Sequence, residues 1–180
     1  MSGMLAVPVT DADHAKGDAD AAVTLVEYGD YQCPACGMAY PFVQDILGRN
    51  ATGLRFVFRN FPLSQAHPYA SMAAQVAEAA ATLGRFWPMH DWLYQHQDAW
   101  TQRGAEGIAD GVQAIGLDPA HLEQVLEDPR ISERVRHDFM GGVRSGVNGT
   151  PSFYLNGQLY TGGFDTLGQA VAKLVAARAS

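Results

Sequence analysis

Several absences narrow what this chain can do. No apolar run approaches the roughly 20 residues needed to span a bilayer. Basic residues never cluster: 12 Lys and Arg stand singly against 19 Asp and Glu, for a net charge of -7. Nucleic acid needs a basic face, so that class of partner is set aside. The amino-terminal stretch MSGMLAVPVTDADHAKGD has no basic n-region, and Pro8 interrupts its apolar part. It does not read as a secretory signal, and cytoplasmic residence is expected. Cysteine occurs only at Cys33 and Cys36, which excludes a disulfide framework. Glutathione and thioredoxin systems keep cytosolic thiols reduced, and a bridge over so short a gap removes little chain entropy, so a structural staple is disfavoured. DADHAKGD faintly resembles a calcium loop, but Ala15 and Lys16 stand where a ligand and a Gly are required. Internal repeats and low-complexity tracts are lacking.

What is present suits a packed domain. Hydrophobic residues make up 47% and charged residues 17% of the chain, enough for a core in one domain or one domain with a large insertion. Residues 1–20 are polar and without period, and read as a lead-in. Val23–Tyr28 (VTLVEY) and Leu54–Arg59 (LRFVFR) read as buried strands. Between them Cys36, Tyr40, Val43 and Leu47 recur at helical spacing, with Pro41 inside that helix predicting a kink. From about Pro68 to Gly146 the pattern is helical. Met72, Val76, Ala79 and Leu83 form one expected stripe, Met89, Trp92, Leu93 and Trp100 another, and Ile108, Val112 and Ile115 a third. Asp118-Pro119 and Asp128-Pro129 mark helix starts, an N-cap acid followed by Pro at the first helical position. Asn156-Gly157 between Ser152–Leu155 and Gln158–Tyr160 is a hairpin signal, and a last helix is expected from near Asp165 to Ala177. Strands at both ends of a helical block predict an α/β sandwich interrupted by a helical insertion.

The pair in YQCPACG is the chemical centre of the chain. Cys33 falls where a strand turns into a helix, and Pro34 fits the first helical position. A thiolate there faces unpaired N–H groups and the positive end of the helix dipole, which favours ionisation. Cys36, one turn further in, should be more buried and less acidic. This asymmetry suits an exchange in which Cys33 attacks a disulfide and Cys36 resolves the mixed disulfide. Ala35 offers no polar contact to a thiolate. The competing reading is half a metal site. Structural zinc usually takes four Cys or His ligands, and neither a second CxxC nor a suitably spaced pair among the six histidines is present, although a site shared across a dimer stays open.

YGDYQCPACG after an apolar strand resembles the thioredoxin superfamily, and the longer pattern resembles the DsbA-like thiol–disulfide oxidoreductases. The matching features are Glu27 before the motif, Pro41 in the first helix, FRNFPL and His67-Pro68 after the second strand, Gly84–Trp87 in the helical block, and GVNGTPSF at 146–153. The resemblance implies a thioredoxin fold with an inserted helical domain: residues 21–67 and 147–180 thioredoxin-like, 68–146 the insertion. It implies that Pro151 is cis, that Thr150 and Pro151 receive a substrate strand, and that Glu27 is a buried acid assisting proton transfer at Cys36. Catalysis would rest on Cys33, Cys36, Pro34, Ala35 and Glu27, with no metal or organic cofactor. Partners would be protein thiols and disulfides, with thioredoxin or glutathione as redox partner. The strongly oxidising family member has His where this chain has Ala35, so a milder oxidant is expected. An alternative is a redox-inactive peptide-binding or chaperone-like module using the groove beside Pro151.

Overall fold

In the computed structural model, residues 3–178 are described. Their five-stranded sheet has the order β1-β3-β2-β4-β5, with β1 His14–Gly17, β2 Val23–Gly29, β3 Leu54–Asn60, β4 Ser152–Leu155 and β5 Gln158–Leu159. The helices are α1 Pro34–Arg49, α2 Ala70–Thr82, α3 Phe86–Gln95, α4 Gln97–Arg103, α5 Ala105–Ala114, α6 Pro119–Leu126, α7 Pro129–Ser145 and α8 Phe164–Arg178. The result is a thioredoxin-like fold, as the resemblance implies. The chain groups into two compact units. A sheet unit holds the chain up to Gly29, Met38–Arg59 and the part from Gly141 on, and a helical unit holds Asp30–Gly37 and Asn60–Met140.

In the sheet unit, β2 and β3 lie centrally and are joined through α1. Leu25, Tyr28, Leu54, Phe56 and Phe58 are fully buried, which explains why both strands read as continuous apolar runs rather than alternating ones. β4 runs antiparallel to β2, with Leu25 opposite Leu155 and Tyr28 opposite Ser152. The Asn156-Gly157 signal is realised as a tight turn, with φ of 47° and 81°, the left-handed pair a two-residue hairpin needs. Leu167 and Val171 are the buried anchors of α8, and its Phe164 ring lies 5.3 Å from that of Phe42 on α1.

The first twenty residues do more than lead in. His14–Gly17 pair antiparallel with β3, and residues 7–13 close over Arg59. The Arg59 guanidinium donates to Asp13 Oδ1 and Oδ2 at 2.8 and 3.0 Å, to the carbonyls of Val7 and Pro8 at 2.8 and 3.0 Å, and to Tyr28 Oη at 3.1 Å. All five of its N–H donors are used.

In the helical unit, Asp118 caps α6 by accepting from Ala120 N–H at 3.1 Å, and Asp128 accepts from Arg130 N–H at 2.9 Å. Both Asp-Pro starts therefore stand where the sequence places them. The second and third stripes hold at Met89, Leu93, Trp100, Ile108 and Val112, all buried. The first needs correction. Val76 and Ala79 are inside, but Met72 is 42% exposed. The buried arc of α2 is instead built from Ala70, Ala73, Ala77 and Ala80, whose small side chains permit close helix approach. One polar cluster is buried here: Asn60 N–H donates to Asp138 Oδ2 at 3.1 Å, Asn60 Nδ2 to Glu78 Oε1 at 2.6 Å, and Arg134 pairs with Asp138 at 3.2 Å.

Replacing Arg59 with Met would take the guanidinium from the nearly buried Asp13 carboxylate, at a cost of about 3–5 kcal/mol. Urea unfolding checks this, and adding Asp13→Leu to Arg59→Met should recover part of the loss. A double variant no more stable than Arg59→Met alone would contradict this account.

Candidate active site

The seven residues expected at the site fall into two sets, one in each unit. Cys33, Pro34, Ala35 and Cys36 belong to the helical unit, and Glu27, Thr150 and Pro151 to the sheet unit.

Around the cysteines the chain turns twice. Cys33 N–H donates to the Asp30 carbonyl at 3.1 Å, closing a turn, and Gly37 N–H donates to the Cys33 carbonyl at 3.1 Å, opening the helix. Pro34 is the first residue of α1, where its missing N–H costs no helical bond. Cys33 thus stands at the helix start and Cys36 one turn in. Both are buried, Cys36 completely and Cys33 with 7% exposure, so Cys36 is the more buried of the two, as expected.

Residues not singled out in the sequence hold this loop. The Asp30 carboxylate is buried. Its Oδ1 accepts from Gln32 N–H at 2.8 Å, and its Oδ2 accepts from Leu63 N–H at 2.9 Å and lies 2.7 Å from His67 Nδ1. Gln32 Oε1 accepts from Tyr69 N–H at 2.7 Å. Tyr31 Oη meets His90 Nδ1 at 3.1 Å, both groups buried. Gln97 donates to loop carbonyls from α4. Asp30 carries a sequence signal, since Asp at the first position of a turn bonds its own backbone two residues on. Gln97 carries none, being one polar residue in a helical block.

In the sheet unit, Glu27 lies on β2 opposite Phe153 and is 3% exposed. Burial pushes its carboxyl up to about 8, because the charged form loses hydration. Thr150-Pro151 is a cis peptide bond immediately before β4. Among the described residues no cluster of three or more His, Cys, Asp or Glu is arranged to hold a metal ion.

The Glu27 proton has a consequence for stability. From about pH 4.5 to about pH 8 the folded state keeps a proton that the unfolded state releases, so this group lowers stability as pH rises, by about 1.4 kcal/mol per unit. Glu27→Gln removes the effect. Its stability relative to wild type should climb across that window, by about 3 kcal/mol between pH 4.5 and 7. Unfolding curves at several pH values check this. A difference independent of pH would show that Glu27 is ionised in the fold.

The comparisons with known proteins agree with this geometry. A thioredoxin family model matches residues 9–173. A thioredoxin-like oxidoreductase from Silicibacter pomeroyi superposes with a TM-score of 0.79 at 26% identity, over 95% of this chain and 95% of that one. The thiol-disulfide exchange protein alpha-DsbA2 from Wolbachia pipientis superposes with a TM-score of 0.78 at 22% identity, over 91% of this chain and 88% of that one. The Na(+)/H(+) antiporter NhaA 1 of Salinispora arenicola is 42% identical across 89% of this chain, but the match covers 24% of that protein. The chain spans about a quarter of the length of the curated relatives it matches. With the family model covering most of its length and these folds superposing on it, the chain belongs to the thioredoxin family and has the DsbA-like form of that fold.

Proposed function

We propose that this chain is a thiol–disulfide oxidoreductase acting on protein thiols and disulfides through Cys33 and Cys36. The observation that carries the reading is their placement: Cys33 immediately before the first residue of a 16-residue helix, Cys36 one turn in and fully buried. The Cys33 thiolate attacks one sulfur of a substrate disulfide. The substrate S–S bond breaks, a mixed disulfide forms, and the leaving thiolate takes a proton. Cys36 then gives up its proton and attacks Cys33 Sγ, forming the Cys33–Cys36 disulfide and releasing the second substrate thiol. Two electrons pass from the protein to the substrate; run backwards, the same steps oxidise a dithiol.

Glu27 serves in this reading as the group that passes a proton to or from Cys36. A carboxyl near 8 lies close to the ordinary thiol value of about 8.5, so the transfer is nearly balanced. Thr150 and Pro151 receive the substrate chain as an added strand. Pro34 and Ala35 offer the thiolate no side-chain hydrogen-bond donor of their own, which suits a mild couple. Thioredoxin or glutathione would return the pair to its working state. The compartment follows the couple: a reducing one suits the cytoplasm, an oxidising one an exported setting.

The antiporter matches favour a narrower second reading, in which the disulfides handled belong to a membrane transporter. One trapping experiment serves both readings. With Cys36→Ala, the mixed disulfide on Cys33 should accumulate with a disulfide-bonded protein, and with Cys33→Ala it should vanish and turnover fall to background. Peptide binding that survives both substitutions, with no turnover in the wild type, would point instead to a binding module. Trapped partners that are all soluble proteins would overturn the transporter reading.

A further inference from the structure

Gln97 is the first residue of α4, and its side chain reaches the peptide of the nucleophile itself. Its Nε2 donates to the Tyr31 carbonyl at 2.7 Å and to the Cys33 carbonyl at 2.9 Å. The Cys33 carbonyl also accepts the Gly37 N–H at 3.1 Å. Both lone pairs of that oxygen are therefore engaged, one by the helix and one by Gln97. The other end of the amide accounts for Gly37: a Cβ there would collide with Gln97 Oε1 and Cδ. The residue after CPAC is thus matched to a side chain sixty positions away. With two carbonyl acceptors facing it, the amide can point only its nitrogen at the loop.

We propose that Gln97 is a positioning residue for thiol–disulfide exchange. Its amide locks the backbone of Cys33 at the helix start and offsets the partial negative charge of the two flanking carbonyls, and in this way it sets how acidic and how stable the Cys33 thiolate is. The inference rests on the reading of Cys33 as nucleophile. The side chains of Asp30 and Gln32, which also hold the loop, bond elsewhere: Asp30 to the Gln32 and Leu63 N–H groups and to His67, Gln32 to the Tyr69 N–H. Gln97 alone of these three acts on the residue that bears the sulfur. Without it, the Tyr31 and Cys33 carbonyls lose the bond from Gln97, the Cys33 oxygen keeping only the Gly37 N–H, and the turn into α1 loosens. Fewer thiolates form, the reduced protein is less stabilised, and the couple becomes more reducing.

Gln97→Met keeps the length and loses both donated bonds; Gln97→Lys keeps a donor for the carbonyls and adds a positive charge. Three readouts are compared with wild type: the Cys33 thiolate fraction from its ultraviolet absorbance across pH, the reduction potential in glutathione buffers, and the thermal midpoint. Gln97→Met should lower the thiolate fraction below neutral pH by about three-fold or more, half a pKa unit, and move the potential to more negative values. Gln97→Lys should match or exceed the wild-type thiolate fraction. It also keeps the test decisive should the Met variant not fold. An unchanged thiolate fraction in Gln97→Met, a change in thermal midpoint alone, or a lower thiolate fraction in Gln97→Lys would overturn the inference. If wild type itself forms no Cys33–Cys36 disulfide, the oxidoreductase reading falls first and this inference with it; a wild type that cycles normally beside an indifferent Met variant removes only the role of Gln97.

Discussion

The chemistry of this protein depends on one junction, where β2 ends and α1 begins. A helix that starts there must leave its first N–H groups without intrahelical partners. Pro34 removes one of them at no cost, and Cys33 is the residue immediately before it. Everything nearby serves to keep the chain turning at that point. Asp30 closes the preceding turn with both its carbonyl and its carboxylate, Gln32 reaches the Tyr69 peptide, and Gln97 takes up the carbonyls of Tyr31 and Cys33. The CPAC motif is therefore held by hydrogen bonds to its backbone.

A second design feature is the use of polar groups inside each unit. Arg59 gathers Asp13, Tyr28 and two amino-terminal carbonyls, while the neighbouring residue in sequence, Asn60, is held by Asp138 and Glu78. Consecutive residues at the end of β3 thus anchor different parts of the chain. Such groups specify position more than they add stability, because each must find its partners once it leaves water. Glu27 differs from them. Its burial is met by holding a proton up to about pH 8.

The sequence made most of the fold legible wherever a short-range rule was strong. Apolar runs marked β2 and β3, Asp-Pro marked the starts of α6 and α7, Asn-Gly marked the hairpin, and CPAC marked the helix start. What escaped had no local signal. β1 is four residues long, lies at a sheet edge and shows no alternation, so only its pairing with β3 reveals it. The facing of α2 was misjudged at Met72, because a helix packed through alanines gives no strong apolar stripe. At the site, the deeper burial of Cys36 and the burial of Glu27 were readable from position. Gln97 was not singled out, since a polar side chain that bonds to backbone leaves no trace in the pattern of its neighbours, and Asp30 was passed over although its turn signal is present.

The central claim is that Cys33 and Cys36 form a reversible two-electron couple. Its most direct test is the reduction potential of the pair, equilibrated in glutathione buffers of graded ratio. The account predicts one two-electron transition, lying below the value of about -120 mV that marks DsbA and toward the value of about -270 mV that marks thioredoxin, because Ala35 supplies no donor to the thiolate. A chain that stays dithiol at every ratio, with no transition at all, would contradict it.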